Sequence, residues 1–126
     1  MSHEIEFRVY YQDTDAGGVV YHSNYLNFAE RARAEFLRKL GVNQSELKAK
    51  DGLLFLIKSL NIEYKKPALL DDILTIKTQI TETSKVRMQM EQNIFRDELL
   101  IAKVIVNIVC VNEAMKPTKI PDYILA

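Results

Sequence analysis

Residues 25–41, YLNFAERARAEFLRKLG, contain the pattern that decides the fold. Apolar residues return every three or four positions along this stretch, which is the spacing of one face of an α-helix: Tyr25, Ala29, Ala32, Phe36 and Leu40. The charged side chains fall largely on the rest of the helix surface: Glu30, Arg31, Arg33, Glu35, Arg38 and Lys39. This spacing predicts one amphipathic helix of about 16 to 18 residues over 24–40, roughly 25 Å long at about 1.5 Å per residue.

Both ends of this helix carry residue types that begin or stop helices. Ser23 or Asn24 is expected to cap the amino end, because their short side chains accept hydrogen bonds from free backbone N–H groups. Gly41 lies where a residue in the left-handed conformation commonly ends a helix. The apolar stripe between these ends needs a second layer of structure to cover it.

Alternation of apolar and polar residues predicts β-strands on both sides of the helix. Before the helix, residues 5–11 alternate with Tyr11 on the apolar side. After it, strand patterns cover residues 54–64, 74–80, 86–94 and 99–111, and a tight hairpin is expected at 96–98. We therefore predict a single α+β domain over residues 1–126, in which a strongly curved antiparallel sheet wraps around a long central helix.

Composition and charge exclude several classes of protein. The chain has 126 residues, of which 48% are apolar and 27% charged, so collagen-like and disordered structures are disfavoured. Lys plus Arg and Asp plus Glu both number 17, which leaves no overall field to attract nucleic acid or an anionic membrane. The uncharged run at 104–112 is well short of the roughly 20 residues that span a bilayer. We expect no nucleic-acid partner and no integral membrane segment.

Cysteine content and apolar content bear on compartment and assembly. Cys110 is the single cysteine, so the chain cannot form an internal disulfide, and residues 1–4 lack the pattern of a secretory signal. Both observations predict a cytoplasmic protein. The run at 99–111 is rich in Val and Ile, which predicts a strand that is buried on both faces or lies at a subunit contact. Self-association to a homodimer or homotetramer is therefore expected.

Functional residue types are densest at residues 13–25, DTDAGGVVYHSNY, immediately before the helix. Free N–H groups and the positive end of the helix dipole lie at that point, where they stabilise an oxyanion developing on a carbonyl. A carboxylate on the preceding loop can act as a nucleophile or as a general base toward water. The combination indicates hydrolysis of an acyl group.

Other catalytic chemistries lack their motifs. His3 and His22 are far apart and no zinc-binding His/Glu spacing occurs, so no metal is expected. The chain has neither a phosphate-binding Gly-x-x-x-x-Gly-Lys motif nor a dinucleotide fingerprint, and no cofactor is implied. The Gly-x-Ser-x-Gly elbow of α/β-hydrolases is also absent from the sequence.

The loop motif, continued by residues 30–35 on the helix, resembles the signature of hotdog-fold acyl-CoA thioesterases of the 4-hydroxybenzoyl-CoA thioesterase type. The likeness is closest to the bacterial YbgC-like subgroup that is associated with the Tol-Pal envelope system. It covers nearly the whole chain, because the order of strands and the turn at 67–72 also match the family pattern. The resemblance implies a hotdog fold and an acyl-CoA substrate.

The resemblance also implies roles for individual residues. Asp15 matches the family's catalytic carboxylate, and His22 matches the position whose backbone N–H polarises the thioester carbonyl and whose side chain is suspected of a catalytic role. Gly17 and Gly18 match small residues that let the loop close over the acyl group. Asp13 is expected to support the loop. Members of the family are usually dimers or tetramers with sites at the subunit interface.

Further residues are candidates for substrate binding. Those beside the loop are expected to form pocket walls or helix caps: Tyr21, Ser23, Asn24 and Tyr25. The phosphates of coenzyme A require a local cationic patch on a neutral protein, for which we rank three residues first: Lys85, Arg87 and Lys116. Each candidate also has a structural interpretation, such as an Asx-turn for Asp15, core packing for Tyr25 and a solvated surface for Lys85.

Two other functions compete with thioester hydrolysis. A hotdog hydratase or dehydratase pairs an acid with a histidine, which Asp15 and His22 would imitate. A non-catalytic acyl-CoA-binding module, associated with the cell envelope, is the alternative outside the enzymes. Water addition to an enoyl-CoA would identify the first, and binding without turnover the second.

Overall fold

The computed structural model of the protein describes residues 2–125. Its secondary structure is dominated by one antiparallel sheet and one helix of 16 residues. The strands are β1 (Ser2–Arg8), β2 (Leu54–Tyr64), β3 (Ile73–Thr83), β4 (Arg87–Arg96) and β5 (Leu99–Val111). The helices are α1 (Asn24–Lys39), α2 (Gln44–Glu46) and α3 (Asp122–Leu125), with a 3₁₀ turn at Tyr11–Asp13 and a π-helical turn at Leu47–Asp51. The predicted α+β class with an antiparallel sheet is confirmed.

The order of strands in the sheet fixes the path of the main helix. The five strands lie in the order β1-β3-β4-β5-β2, and every neighbouring pair is antiparallel. The first two strands of the chain therefore form opposite edges of the sheet. Since α1 lies between them in sequence, it crosses one face of the sheet and buries its apolar stripe there.

Helix α1 begins at the predicted residue and ends at Lys39, one residue before the predicted bound, with the predicted glycine signal after it. Gly41 is left-handed, with φ of 89°. Its N–H donates to the carbonyl of Arg38, and the N–H of Val42 donates to that of Leu37 over 2.8 Å, which is the paired pattern of a Schellman motif. The prediction for the amino end is wrong, because Ser23 makes no side-chain cap hydrogen bond. Its backbone is already helical, whereas a capping residue is normally extended.

The first strand is shifted toward the amino terminus relative to the prediction of 5–11. It ends at Arg8, and Tyr11 is 82% exposed instead of lying on the apolar side. The backbone turns here because Asp13 Oδ2 accepts a hydrogen bond from the N–H of Tyr10 over 2.8 Å, which closes the 3₁₀ turn. The turn carries the chain off the sheet toward the start of α1.

The later strands follow the prediction, with one correction. Two residues connect β4 to β5, and Asp97 has φ of 54°, as a tight hairpin requires. Within this chain β5 is not buried on both faces: Val104 and Val106 are buried against the helix side, whereas Ile105 and Asn107 on the opposite side are partly exposed. The alternation arises because the outer face of the sheet has no covering layer among the described residues.

The core beneath α1 consists of two apolar clusters, one at each end of the helix. The cluster at the amino end contains Tyr25, Phe28 and Ala32 of α1 together with sheet residues such as Ile94. The cluster at the carboxyl end contains Phe36 and Leu37 with Met88, Met90, Val106 and Cys110. The helix is thus held to the sheet on both sides of its midpoint.

A buried polar group separates these two clusters. Arg33 was expected on the polar face of the helix, but it is only 7% exposed, because it lies one turn after the buried Ala29. Its Nη1 donates to Gln92 Oε1 over 3.0 Å, and Gln92 Nε2 donates to the carbonyl of Ala29 and to Thr78 Oγ1. Burial lowers the pKa of Arg33 from its ordinary value, and the nearby Glu30 opposes that effect. Gln92 therefore ties the middle of α1 to the middle of the sheet.

Replacing Gln92 by Leu should lower the free energy of unfolding by about 2 to 4 kcal/mol, because Arg33 and two other buried polar groups lose their partner. Urea denaturation at a fixed protein concentration measures this. Replacing Arg33 by Leu as well should recover a large part of the loss, since no buried charge then remains. Gln79→Leu on the exposed side of β3 is the matched control. Equal stability of the Gln92→Leu and control variants would contradict the proposed tie.

Candidate active site

The candidate site is a loop that folds back on itself immediately before α1. Thr14 and Val20 form an antiparallel bridge across it. Inside that bridge, the N–H of Asp15 donates to the carbonyl of Val19 over 2.9 Å, and the N–H of Gly18 donates to the carbonyl of Asp15. Gly18 has φ of 79°, a conformation that side chains other than glycine's rarely adopt. The motif glycines thus form a tight turn that presents Asp15 at its start.

The carboxylate of Asp15 is exposed and only partly engaged. Its Oδ1 accepts a hydrogen bond from the N–H of Gly17 over 2.8 Å, so Asp15 does form an Asx-turn. Within residues 2–125 no donor reaches Oδ2, which leaves one carboxylate oxygen available for chemistry. A Cβ at Gly17 would lie 3.2 Å from Oδ1, so glycine lets the carboxylate approach the turn.

Asp13 has different partners, although it belongs to the same motif. Its Oδ2 accepts from the N–H of Tyr10, and its carbonyl accepts from the N–H of Tyr21 and from Asn24 Nδ2, both over 2.9 Å. These bonds connect the 3₁₀ turn, the loop and the first residue of α1. Asp13 therefore makes the contacts of a loop support.

The amino end of α1 has free donors beside this loop. The N–H of Leu26 donates to the carbonyl of Ser23, and the N–H of Asn24 donates to that of Tyr21. Among the described residues, no hydrogen bond uses the N–H of His22 or of Ser23. The His22 side chain is exposed, with its ring centroid 4.4 Å from that of Tyr21. Two backbone donors at the positive end of the helix dipole are thus open to a ligand.

Two tyrosines brace this end of the helix. Tyr25 is buried, and its phenol oxygen accepts a hydrogen bond from the N–H of Ala68 over 2.9 Å. Burial raises the pKa of Tyr25 above its ordinary value, although the bond to Ala68 opposes the shift, so the phenol stays protonated. Tyr64, at the end of β2, donates its hydroxyl hydrogen to the carbonyl of His22 over 2.9 Å. The two rings meet edge to face with centroids 5.4 Å apart.

The turn at 67–72 holds the loop from the other side. The N–H of Val20 donates to the carbonyl of Ala68 over 2.8 Å. Asp72 Oδ2 accepts from the N–H of Leu69 and from Arg96 Nη1, each over 2.8 Å, and this carboxylate fixes the shape of the turn. Sequence reasoning missed Tyr64 and Arg96, since each acts on a residue at least 24 positions away.

A cavity of about 290 Å³ opens beside these residues. It is lined by Val20, His22, Tyr25, Tyr64, Lys65, Lys66 and Pro67. A larger cavity of about 580 Å³ lies near Ser2, His3 and Lys39, at the opposite end of α1 and away from Asp15. The smaller cavity adjoins His22 and the amino end of the helix, although Asp15 is not among the residues that line it.

The three predicted phosphate-binding cations lie at the opposite end of the sheet. Arg87 pairs with Val109 of β5, whereas Tyr64, which bonds to His22, pairs with Ala102. At about 3.4 Å per residue, these levels of β5 are roughly 24 Å apart. Lys85 accepts from the N–H of Ile120, and Lys116 from that of Asn112, through their carbonyls at the same far end. One chain therefore does not bring these cations to Asp15, and the cations beside His22 are Lys65 and Lys66.

Other reactive groups in the described part of the chain stand apart from the loop. Cys110 is buried, and desolvation raises the pKa of its thiol. Residues 2–125 contain no cluster of three or more His, Cys, Asp or Glu side chains arranged to hold a metal. Over the same range, no helix has the length and apolar character needed to cross a membrane.

The main helix crosses an antiparallel sheet, and an exposed carboxylate precedes free N–H groups at its amino end. This arrangement is suited to acyl-group chemistry. Residues 9–126 match the Thioesterase-like superfamily, and the chain belongs to this family. The family resemblance noted from the loop motif is thereby confirmed.

Individual relatives agree with this assignment. The acyl-CoA thioesterase YbgC of Haemophilus influenzae is 44% identical over 120 residues, which are 94% of this chain and 88% of the relative. The acyl-CoA thioester hydrolase YbgC of Escherichia coli O157:H7 is 44% identical over 121 residues, 94% of this chain and 90% of that protein. A probable thioesterase from Bartonella henselae superposes with a TM-score of 0.91 at 41% identity, covering 96% of this chain and all of the solved chain. The hotdog-like fold is confirmed by this likeness.

Proposed function

We propose that this protein hydrolyses acyl-CoA thioesters to a free acid and coenzyme A, with the reaction at Asp15 and the amino end of α1. The observation that carries the proposal is the loop geometry, in which a carboxylate with one unengaged oxygen precedes two unengaged backbone N–H groups at a helix start. The relatives named as acyl-CoA thioesterases support the substrate class. Asp15, His22 and the free amides supply what thioester cleavage requires.

In the proposed reaction the thioester carbonyl oxygen accepts hydrogen bonds from the N–H of His22 and its neighbour, which stabilise the oxyanion that develops there. Asp15 Oδ2 either attacks the carbonyl carbon to form an anhydride, which water then cleaves, or removes a proton from an attacking water. The carbon–sulfur bond breaks and the thiolate of coenzyme A leaves. One water is consumed, its oxygen entering the acid and a proton ending on the thiol.

The remaining loop residues shape the pocket in this proposal. Gly17 and Gly18 keep the loop narrow enough for the acyl group to reach Asp15. Asn24 ties the helix start to the loop through the carbonyl of Asp13, and Ser23 contributes its backbone N–H. Tyr21 and Tyr25 form walls of the pocket in this proposal. Tyr21 is exposed, whereas Tyr25 is buried in the core.

We propose further that the working enzyme is a cytoplasmic homodimer or homotetramer in which the sheet curves around α1. Strand β2 is an edge strand of 11 residues, and within residues 2–125 no strand pairs with its outer side. Leu56 and Ile57 are exposed on this strand. A long apolar edge is a template for pairing with another chain, so a second copy joined along β2 covers it.

Assembly would also bring the distant cations to the coenzyme A binding site of a neighbouring subunit. Lys85, Arg87 and Lys116 lie far from Asp15 in one chain, so in our proposal they contact the coenzyme A phosphates at the partner's site. Lys66, beside His22, adds positive charge from the same chain, whereas Lys65 is paired with Glu63 over 3.2 Å. An active site completed by two subunits follows from this arrangement.

Asp15→Asn should keep the fold while lowering kcat at least about a hundredfold, because an amide is neither a nucleophile nor a base. Release of free thiol from acetyl-, octanoyl- and benzoyl-CoA measures this. Asp51→Asn, at an exposed carboxylate outside the loop, is the control. Retention of more than about a tenth of the activity would remove Asp15 from the mechanism. Hydration of crotonyl-CoA by the wild-type enzyme would instead favour the hydratase alternative, and tight binding without any turnover the non-catalytic one.

His22→Ala separates the contribution of the side chain from that of the backbone, because the N–H remains. If the backbone carries the effect, kcat falls less than about tenfold and the pH–rate profile keeps its shape. A collapse of activity, together with loss of a limb in the histidine range of the wild-type pH profile, would assign general acid or base catalysis to the imidazole.

Subunit mixing tests the shared site. Lys85→Ala/Arg87→Ala should raise KM for acyl-CoA, while Asp15→Asn abolishes turnover. A hybrid of these two variants, purified through two different tags, contains one site in which Asp15 of one subunit and the cations of the other subunit are both intact. Its activity at substrate below KM should therefore exceed the mean of the two parent variants. Lys48→Ala/Lys50→Ala, an exposed pair, should leave KM unchanged. Hybrids no more active than that mean, or a fully active monomer in sedimentation, would contradict cations supplied by the partner.

A further inference from the structure

A side chain outside the loop is bonded to the peptide that opens α1. The hydroxyl of Tyr64 donates to the carbonyl of His22 over 2.9 Å, although the two residues are 42 positions apart. That carbonyl belongs to the peptide unit joining His22 to Ser23. Tyr64 thus controls the orientation of one whole peptide plane at the candidate site.

The orientation of this plane decides which charge faces the substrate. The described chain contains no cis peptide bond, so the N–H of Ser23 points away from the carbonyl of His22. With the carbonyl held toward Tyr64, the N–H of Ser23 faces the opposite side of the peptide plane, where no hydrogen bond among the described residues uses it. A hydrogen bond to the carbonyl also polarises the peptide and strengthens its N–H as a donor.

Tyr64 is itself fixed from two directions. Its backbone pairs with Ala102 of β5, and the carbonyl of Ile101 accepts from the N–H groups of both Lys65 and Lys66, over 2.9 and 3.1 Å. Its ring contacts the edge of Tyr25, which is buried in the core. The hydroxyl is therefore anchored to the sheet and to the helix at the same time.

We propose that Tyr64 is a positioning residue for thioester hydrolysis: it holds the His22–Ser23 peptide so that the N–H of Ser23 joins that of His22 in stabilising the oxyanion. The inference rests on the proposed function, because it assumes that the thioester carbonyl lies against the start of α1. It explains what orients the second backbone donor, the N–H of Ser23, and it gives β2 a part in the reaction.

Tyr64→Phe is the direct test, since it removes the hydroxyl and keeps the ring against Tyr25. Removal of one oxyanion donor costs about a hundredfold or more in kcat, so misorientation of one should lower kcat by about tenfold. KM should change less than about twofold, because the donor acts mainly in the transition state. Tyr123→Phe, at a tyrosine 52% exposed compared with 48% for Tyr64, is the matched control and should leave both constants unchanged.

A spectroscopic measurement separates orientation of the donor from a general loss of structure. In the Asp15→Asn background, an acyl-CoA labelled with ¹³C at the carbonyl remains uncleaved, and its carbonyl stretch reports the hydrogen bonds it accepts. Adding Tyr64→Phe should move that stretch to higher frequency, toward its value in water-free solvent, while the affinity for the labelled thioester stays within about twofold. The Tyr123→Phe addition should not move it.

The outcomes distinguish the inference from the function on which it rests. If Asp15→Asn abolishes turnover but Tyr64→Phe leaves both kcat and the carbonyl stretch unchanged, the role of Tyr64 is overturned and the proposed function stands. If Asp15→Asn leaves turnover intact, Asp15 is removed from the mechanism, and the proposed placement of the reaction at the start of α1 fails before the role of Tyr64 is tested. A lower kcat with a shifted stretch and an unchanged KM supports the inference, whereas a higher KM with no shift assigns Tyr64 to binding and overturns it.

Discussion

The structure depends on one constraint, which is that α1 joins the two opposite edges of a single sheet. Because β1 and β2 lie at the two edges, the connecting helix crosses the sheet and its amino end is placed beside the end of β2. The loop before the helix is bonded on one side to the turn at 67–72 and on the other to Tyr64. The position of Asp15 is thus a consequence of the order of strands.

The local features of this fold could be predicted from sequence, because short-range physics determines them. The 3.6-residue period gave the bounds of α1, and Gly41 marked its end as a left-handed residue. The contacts that hold the site could not be predicted, since they join distant segments: Tyr64 to His22, and Gln92 to Arg33 across 59 positions. The prediction that Arg33 lies on the polar face was wrong for the same reason, because its buried partner Gln92 lies on strand β4.

The loop shows that residue type alone does not assign a role. Asp13 and Asp15 are two positions apart in one motif, yet Asp13 accepts from the N–H of Tyr10 and supports two turns, while Asp15 keeps one oxygen unengaged. The Asx-turn that competed with catalysis as an explanation of Asp15 is present. It fixes Oδ1 and leaves Oδ2 to the substrate in our proposal, so the two interpretations describe the same carboxylate.

The bond between Arg33 and Gln92 has a consequence for how the sequence can vary. Gln92 serves three groups at once, which are the guanidinium of Arg33, the carbonyl of Ala29 and the hydroxyl of Thr78. A change at position 92 alone leaves the buried guanidinium of Arg33 without its partner, whereas a joint change of both positions to apolar residues removes that buried charge. Across relatives of this protein, positions 33 and 92 should therefore covary, keeping both polar residues or losing both.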